Sequence, residues 1–334
     1  MTSDDQHGFL QRGAFCFSFD FELAWGNFDR YGMDSLEKKS LIARKTVLPR
    51  LLEMLGNHRI SATWAVVGHL MLDSCNKDHG RPLPNHPWLP DWYCHDPGSS
   101  EENKPQWYAR SFVQRLMAMK PRQDIGLHGF SHCIWGEPGC SREVAKKEME
   151  NALQAAGTLG IEPRSFVFPR NSVNHLDVLR TAGIRIFREH QQSFYYNYPR
   201  SLRRMCHFVS QMIGLRPSPV LPRQESGVTC LPYSALYSSM DGIRSRIPVS
   251  IRVRRAEKGM ERAVQTRRIF HLTTHPVYLA YEDERSERLL NGLDRIFDHA
   301  ACLREQGVMD ILTMDQIGAR FQSTGIRGKT GLES

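Results

Sequence analysis

The chain has 334 residues, 40% hydrophobic and 24% charged, which is typical of a soluble globular protein with one large domain or two ordinary ones. No apolar run approaches the roughly 20 residues that span a bilayer. The polar beginning MTSDDQHGFLQRG has no apolar signal-peptide core, so we expect a cytoplasmic protein. The eight cysteines are scattered without a CxxC pair, which argues against a disulfide framework, a zinc ribbon or a redox dithiol.

The first predicted element is a strand at about 14–21, in the segment FCFSFDFE. Its four phenylalanines alternate with Cys16, Ser18, Asp20 and Glu22. Side chains in a strand repeat with period two, so the phenylalanines share one face and the two carboxylates share the other. The polar face ends in two acids at the carboxyl end of the strand, which indicates that they point at something other than bulk water.

Helical and strand patterns alternate along the rest of the chain. Helices are predicted at about 35–58, 106–119, 141–160, 175–183 and 284–307. Further strands are predicted at about 61–68, 123–130, 165–169, 184–189, 228–233, 268–276 and 310–314. Regular alternation predicts an α/β fold with a parallel sheet, and seven or eight units favour closure into an irregular (β/α)7-8 barrel. We expect a single domain over 1–334.

Two stretches interrupt this alternation. Residues 76–105 are too rich in proline and glycine for a core and are predicted to form an inserted loop, whose aromatic residues either stack on a sugar or pack the loop onto the barrel. Residues 190–266 are predicted to be a basic, irregular insertion. Much of the net charge of +8 lies at 200–268. This charge fits a solvated helix face, a phosphate on an anionic substrate carrier, or peripheral contact with a membrane surface; no nucleic-acid motif accompanies it.

Several predicted strands end in ionisable or polar residues, at the pole where a parallel barrel has its active site. These residues are Asp20, Glu22, His128, His132, Arg170, Asn171 and His275. Two histidines four residues apart can share one ion, and a neighbouring carboxylate completes a three-ligand, zinc-type site with a position open for water. A second carboxylate can take the proton of that water, a histidine opposite can protonate the leaving group, and an arginine can keep the base ionised.

The order SFDFE, DIGLHGFSH, FPRN and HLTTHP resembles the motif series of the NodB-type polysaccharide deacetylases, carbohydrate esterase family four. The resemblance runs from about residue 14 to 315 and is most specific in IGLHGFSH. It implies an irregular (β/α)7 barrel of the glycoside hydrolase/deacetylase type. It also implies that acetyl groups, mostly N-acetyl groups of sugars, are removed with the help of a divalent metal.

The resemblance also assigns roles to individual residues. The implied catalytic residues are Asp20 as base, Arg170 as the arginine that tunes the base, and His275 as acid. The implied metal ligands are Glu22, His128 and His132. The chain departs from the family where a phenylalanine separates the two acids, where the second acid is glutamate, and where the arginine follows a proline. These departures leave metal dependence open.

We therefore expect a metal-dependent hydrolase of carbon–nitrogen bonds that removes acetyl from an N-acetylated sugar. Zinc is the expected ion, with cobalt or another divalent ion as an alternative. The expected substrate is an intermediate of cell-surface polysaccharide biosynthesis, carried on a nucleotide or lipid diphosphate. Two alternatives stay open: a metal-independent amide hydrolase acting on a non-sugar substrate, and a non-catalytic carbohydrate-binding protein on a deacetylase scaffold.

Overall fold

The protein is built around one curled sheet with helices on its outer face. The computed structural model describes residues 9–26, 28, 32–190 and 217–324. In these ranges the strands are β1 Gly13–Phe21, β2 Thr63–Val66, β3 Asp124–Leu127, β4 Ser165–Val167, β5 Ile186–His190, β6 Arg223–Glu225, β7 Val228–Tyr233, β8 Ala235–Leu236, β9 Ile269–Thr274 and β10 Met309–Ile311. The α-helices are α1 Met33–Ile42, α2 Leu48–Asn57, α3 Arg110–Ala118, α4 Arg142–Gly157, α5 Leu176–Thr181, α6 Val249–Thr266, α7 Arg285–Glu305 and α8 Met314–Ser323.

The strand order explains how the sheet closes. It runs β6-β7-β5-β4-β3-β2-β1-β9-β8, and β10 also pairs with β1. Neighbouring strands are parallel except for β6 and β7. β7 passes through Ser234 directly into β8, which pairs with β9, so the order returns to the strand beside β1. This arrangement confirms the predicted α/β fold and irregular barrel.

β1 shows the alternation that its sequence predicts. Phe15, Phe17, Phe19 and Phe21 are fully buried on the helix side, where Phe17 meets Phe297 of α7 edge to face at 5.0 Å. The opposite face enters the barrel interior, where Cys16 belongs to a smaller apolar cluster with Ala65, Val167, Ile186 and Leu231. The polar end of that face therefore lies inside the barrel, at the carboxyl ends of the parallel strands.

The region 190–266 is more regular than predicted. Residues 191–216 lie outside the described part of the chain, but α6 is an 18-residue helix. Its buried residues Val253, Ala256, Met260 and Ala263 follow helical spacing, a signal that the high charge of the segment obscured in the sequence. Gly259 allows close packing, because a Cβ there would come within 2.4 Å of the ring of Phe270.

The inserted loop at 76–105 contains only isolated β-bridges, as its composition predicts. Trp92 and Tyr93 are buried and pack the loop onto the barrel, whereas Trp88 is 45% exposed. Trp135 is buried between the rings of Phe166 and Phe168, so it belongs to the core. Within the described residues, no helix combines the length and the apolar character needed to cross a bilayer.

Candidate active site

A cavity of about 240 Å³ lies at the carboxyl ends of the barrel strands. It is lined by Asp20, Glu22, His128, His132, Arg170, Asn171, Arg188, Tyr233, Leu236, Thr273, His275 and Tyr278. All six residues to which the sequence assigned a catalytic or metal-binding role are in this set. The pairing of strands that are distant in sequence thus brings together side chains from the ends of β1 and β9 and from the turns after β3 and β4.

Glu22, His128 and His132 form a compact donor set. Glu22 Oε2 lies 3.5 Å from His128 Nε2 and 3.1 Å from His132 Nε2. The three donor atoms lie within 4.8 Å of one another, and the side chains are buried. Gly26 makes room for Glu22, because a Cβ at position 26 would come within 2.0 Å of Glu22 Cδ.

The protonation of the two histidines suits a metal ligand. Val167 O lies 2.7 Å from His128 Nδ1, so that nitrogen donates to the carbonyl and Nε2 is the nitrogen that faces Glu22. Burial lowers the pKa of His132 although Glu22 opposes the shift, which favours the neutral ring. Two imidazoles and one carboxylate are a donor set typical of a catalytic zinc site, so these residues fit a divalent ion.

A buried glutamate holds the turn that carries the histidines. Glu148 of α4 is 2% exposed, and its Oε2 accepts hydrogen bonds from the backbone N–H groups of Phe130 and Ser131 at 3.1 and 3.0 Å. Its Oε1 accepts from Ser131 Oγ and Tyr93 OH at 2.7 and 2.9 Å. Four donors on one buried carboxylate fix the backbone between His128 and His132.

Asp20 is bound by an arginine that the sequence analysis did not select. Arg188 Nη1 and Nη2 donate to Asp20 Oδ1 and Oδ2 at 2.5 and 2.6 Å, and the guanidinium is 1% exposed. Nη1 also donates to Thr273 Oγ1 at 2.6 Å and to Ser18 Oγ at 3.1 Å. Arg188, not Arg170, is therefore the arginine that ion-pairs with Asp20.

The sequence contained a signal for Arg188. In β5 it shares a face with Ile186, and that face enters the barrel interior. A guanidinium on an inward strand face needs an internal anion. Arg170 was selected because FPRN resembles a family motif, whereas the pairing arginine is supplied by the next strand.

Arg170 occupies the wall of the cavity. It has a left-handed backbone with φ 55°, and so does Asn171 with φ 52°. Its guanidinium lies 5.6 Å from the ring centre of Trp88, the exposed aromatic of the inserted loop. Arg170 and Trp88 thus contact each other at the wall of the cavity.

His275 approaches both acids from the end of β9. Its Nε2 lies 3.4 Å from Asp20 Oδ2 and 3.8 Å from Glu22 Oε1. The ring stacks on Tyr278 at 4.0 Å between ring centres, which orients it toward the cavity. It is positioned to exchange a proton with a molecule bound between it and Asp20.

The charges of the site keep both acids ionised. Burial raises the pKa of Asp20, but Arg188, His275 and His128 outweigh burial and bring it to about 2. Burial also raises the pKa of Glu22, but its interactions with His275 and His132 lower it well below its ordinary value. Burial holds the pKa of His271, beneath Asp20, at about 3, so this imidazole is neutral.

Known structures show which proteins share this fold. No protein-family model matches the sequence, and no curated protein sequence matches it. A candidate polysaccharide deacetylase from Mycobacterium smegmatis is 14% identical, with a TM-score of 0.60 over 96% of this chain and 94% of its own. A candidate polysaccharide deacetylase from Pseudomonas aeruginosa PAO1 is 9% identical, with a TM-score of 0.58 over 96% and 92%.

The Puue allantoinase is similar as well, at 9% identity and a TM-score of 0.62 over 96% of this chain and 93% of its own. At these identities the comparisons show the fold alone. The chain has the fold of the NodB-type polysaccharide deacetylases, as its motif series predicted.

Proposed function

We propose that the protein is a metal-dependent deacetylase that hydrolyses the acetamide of an N-acetylated sugar. One observation carries the proposal. An aspartate held ionised by Arg188 faces the same small cavity as a carboxylate–histidine–histidine donor set and an opposing histidine. A base, an acid and a metal site in one cavity are the groups that amide hydrolysis needs.

Each group has a defined task in the proposed reaction. A divalent ion held by Glu22, His128 and His132, zinc by its donor set, would polarise the acetyl carbonyl and make water more acidic. Asp20 accepts a proton from the attacking water, and Arg188 fixes both carboxylate oxygens while this occurs. His275, at the end of β9, gives a proton to the departing amine, so that acetate and the free amine leave.

The surroundings of the cavity support a sugar substrate. Trp88 presents an exposed aromatic face beside Arg170, and such faces pack on sugar rings. We extend the proposal to an intermediate of cell-surface polysaccharide assembly in the cytoplasm, bound to a nucleotide or lipid diphosphate. Arg254 is exposed on α6 and available to a phosphate. Arg252 is not, because it is 8% exposed and its guanidinium donates to the carbonyls of Ser238 and Arg244.

The test is acetate release from N-acetylglucosamine oligomers and from a nucleotide-diphosphate N-acetyl sugar, together with elemental metal analysis. We expect about one ion per chain at this site, lost in His128→Ala, and acetate release lost in Asp20→Asn. Asp73→Asn is the matched control, since Asp73 is exposed and lies outside the cavity. Equal metal content of the wild type and His128→Ala after reconstitution would contradict the proposal.

The similarity to the Puue allantoinase favours a non-sugar substrate as an alternative, which the sequence analysis pairs with metal-independent amide hydrolysis. Allantoin is the probe for this alternative. Turnover of allantoin that survives exhaustive chelation and requires Asp20 would support it. Loss of all activity on chelation, with recovery on adding zinc, would exclude it.

A further inference from the structure

A second cluster of metal-ligating side chains lies outside the cavity. It consists of His69, in the 3₁₀ turn after β2, and of Cys75, His79 and Asp96. One ligand atom from each lies within 4.8 Å of the others. Asp96 Oδ2 is 2.7 Å from His79 Nε2, 3.6 Å from His69 Nε2 and 3.6 Å from Cys75 Sγ. None of these residues lines the candidate active site.

His69 is the independent sign that a ligand belongs here. Its side chain is fully buried, and neither ring nitrogen has a hydrogen-bond partner within 3.5 Å in the described part of the chain. Buried polar groups in proteins are nearly always satisfied, because an unsatisfied one loses its hydrogen bonds to water without replacement. His69 Nε2 faces the one carboxylate oxygen that the other donors also approach.

The donor set suits zinc. Two imidazoles, a thiolate and a carboxylate provide four ligands of the types that close structural zinc sites, and the two anions neutralise the charge of the ion. Supporting contacts orient the donors: Gly98 N donates to Asp96 Oδ1 at 2.9 Å, and Lys77 N donates to Cys75 Sγ at 3.1 Å. The ring of His79 stacks on Tyr93 at 4.0 Å.

An ion has a way in from solvent. Cys75 and His79 line a surface cleft of about 630 Å³ together with Lys147 and Asn151 of α4. On the other side, the ring of His69 packs against Trp25, Tyr108 and Phe130 at 4.3–5.5 Å between ring centres. The cluster therefore borders the solvent-filled cleft at Cys75 and His79 and the aromatic core at His69.

We propose that His69, Cys75, His79 and Asp96 bind a structural zinc ion that fastens the inserted loop to the turn after β2. The ion joins the beginning of the loop to Asp96 near its end. Between these points lies Trp92, whose Nε1 donates to Ser131 Oγ at 3.0 Å, in the turn between His128 and His132. The site holds the loop that carries Trp88 against the candidate active site, and it needs no ligand from that site.

Cobalt substitution tests the proposal, because this cluster, unlike the Glu22–His128–His132 set, would add a thiolate to the ion. The full chain is stripped of metal and loaded with Co²⁺, and thiolate-to-cobalt charge transfer is measured in the near ultraviolet. We expect the band in the wild type, its loss in Cys75→Ser, and its retention in Cys94→Ser, where an exposed cysteine of the same loop is changed. A wild type without the band, or a band that survives Cys75→Ser, would overturn the proposal.

His128→Ala separates this site from the candidate active site. The proposed structural site predicts that the cobalt–thiolate band persists in this variant, even if the metal dependence of the reaction proves wrong. Zinc should also raise the melting temperature of His128→Ala by a few degrees, since an ion that binds only the folded chain stabilises it. The same increase in a His128→Ala/His79→Gln variant would show that the ion binds elsewhere.

Discussion

Two buried carboxylates, Asp20 and Glu148, lie within the same half of the barrel and are held in different ways. Asp20, 3% exposed, is bound by both nitrogens of the Arg188 fork. Glu148, 2% exposed, is bound by two backbone N–H groups and two hydroxyls, and none of these four donors carries a charge. Asp20 faces the cavity, whereas Glu148 lies beneath the histidine turn.

The partners decide the protonation of each acid. Burial raises the pKa of both, but Arg188 and the histidines reverse the shift for Asp20 and bring its pKa to about 2. For Glu148 the hydrogen bonds only oppose the shift, and its pKa stays raised. A full opposing charge keeps an acid ready to accept a proton, while dipoles suffice for an acid that orients a backbone.

The largest expected effect is on the reaction itself. Asp20→Asn keeps the shape of the side chain but removes the proton acceptor, so we expect kcat to fall by about 10²–10⁴-fold. The metal content should not change, because Asp20 is outside the donor set. Acetate release and elemental analysis of one preparation test both parts, and a fully active Asp20→Asn would remove Asp20 from the mechanism.

Arg188→Met tests whether the guanidinium is the cause of the difference in protonation between Asp20 and Glu148. It leaves the Asp20 charge buried without its partner, and we expect a loss of about 3 kcal/mol in the free energy of unfolding. Arg188→Lys should fall between the wild type and Arg188→Met in both stability and kcat, since an ammonium cannot replace the bidentate fork. Arg115→Met, at an exposed position, is the control. Urea unfolding measures the stability difference, and equal stability of Arg188→Met and the wild type would contradict it.

Glu148→Ala tests the structural role of the second carboxylate. The variant leaves the N–H groups of Phe130 and Ser131 without their acceptor, so we expect about 2 kcal/mol lower stability. Because the turn positions the histidines, zinc affinity should fall by about 10–100-fold. Competition with a chromophoric chelator measures the affinity, and Glu150→Ala, exposed on the same helix, is the control. Unchanged zinc affinity would show that the turn keeps its shape without Glu148.

Glu148→Gln gives the smallest effect and tests the raised pKa. A raised pKa means that the folded state binds more protons than the unfolded chain above about pH 4, so this residue lowers stability as the pH rises. Glutamine does not titrate, so the variant should gain stability relative to the wild type as the pH rises from 5 to 7.5. Urea midpoints at these two pH values measure the change. If the stability difference between Glu148→Gln and the wild type does not change between pH 5 and pH 7.5, Glu148 is ionised over this whole range. Glu150→Gln, at an exposed position of the same helix, is the control and should show no such pH dependence.

The local part of this architecture could be predicted from the sequence. Period-two alternation placed Asp20 and Glu22 on one face of β1, and the spacing of His128 and His132 indicated a shared ligand site. These are relations within one segment. The barrel itself followed from the alternation of helices and strands, which requires no knowledge of side-chain contacts.

Relations between distant segments could not be predicted in the same way. Arg188 reaches Asp20 across 168 positions, so only the closure of the sheet brings them together. Glu148 sits on a regular helix and is distinguished only by burial. The residues around Asp96 are a cysteine, two histidines and a turn aspartate that are separated along the sequence. The loop that brings them together has no periodic pattern, so the sequence does not indicate that they lie close to one another.

The absence of a side chain at Gly26 couples the substitutions that positions 22 and 26 can accept. The longer side chain of Glu22 occupies the volume that any Cβ at position 26 would claim, within 2.1 Å of Oε1. Gly26→Ala should therefore displace this carboxylate, and Glu22→Asp should relieve part of that conflict. We expect the double variant to lose less zinc affinity than the sum of the losses in the two single variants. The effect of a substitution at position 26 therefore depends on the residue at position 22. A glutamate ligand requires glycine at 26, whereas an aspartate ligand would tolerate alanine there.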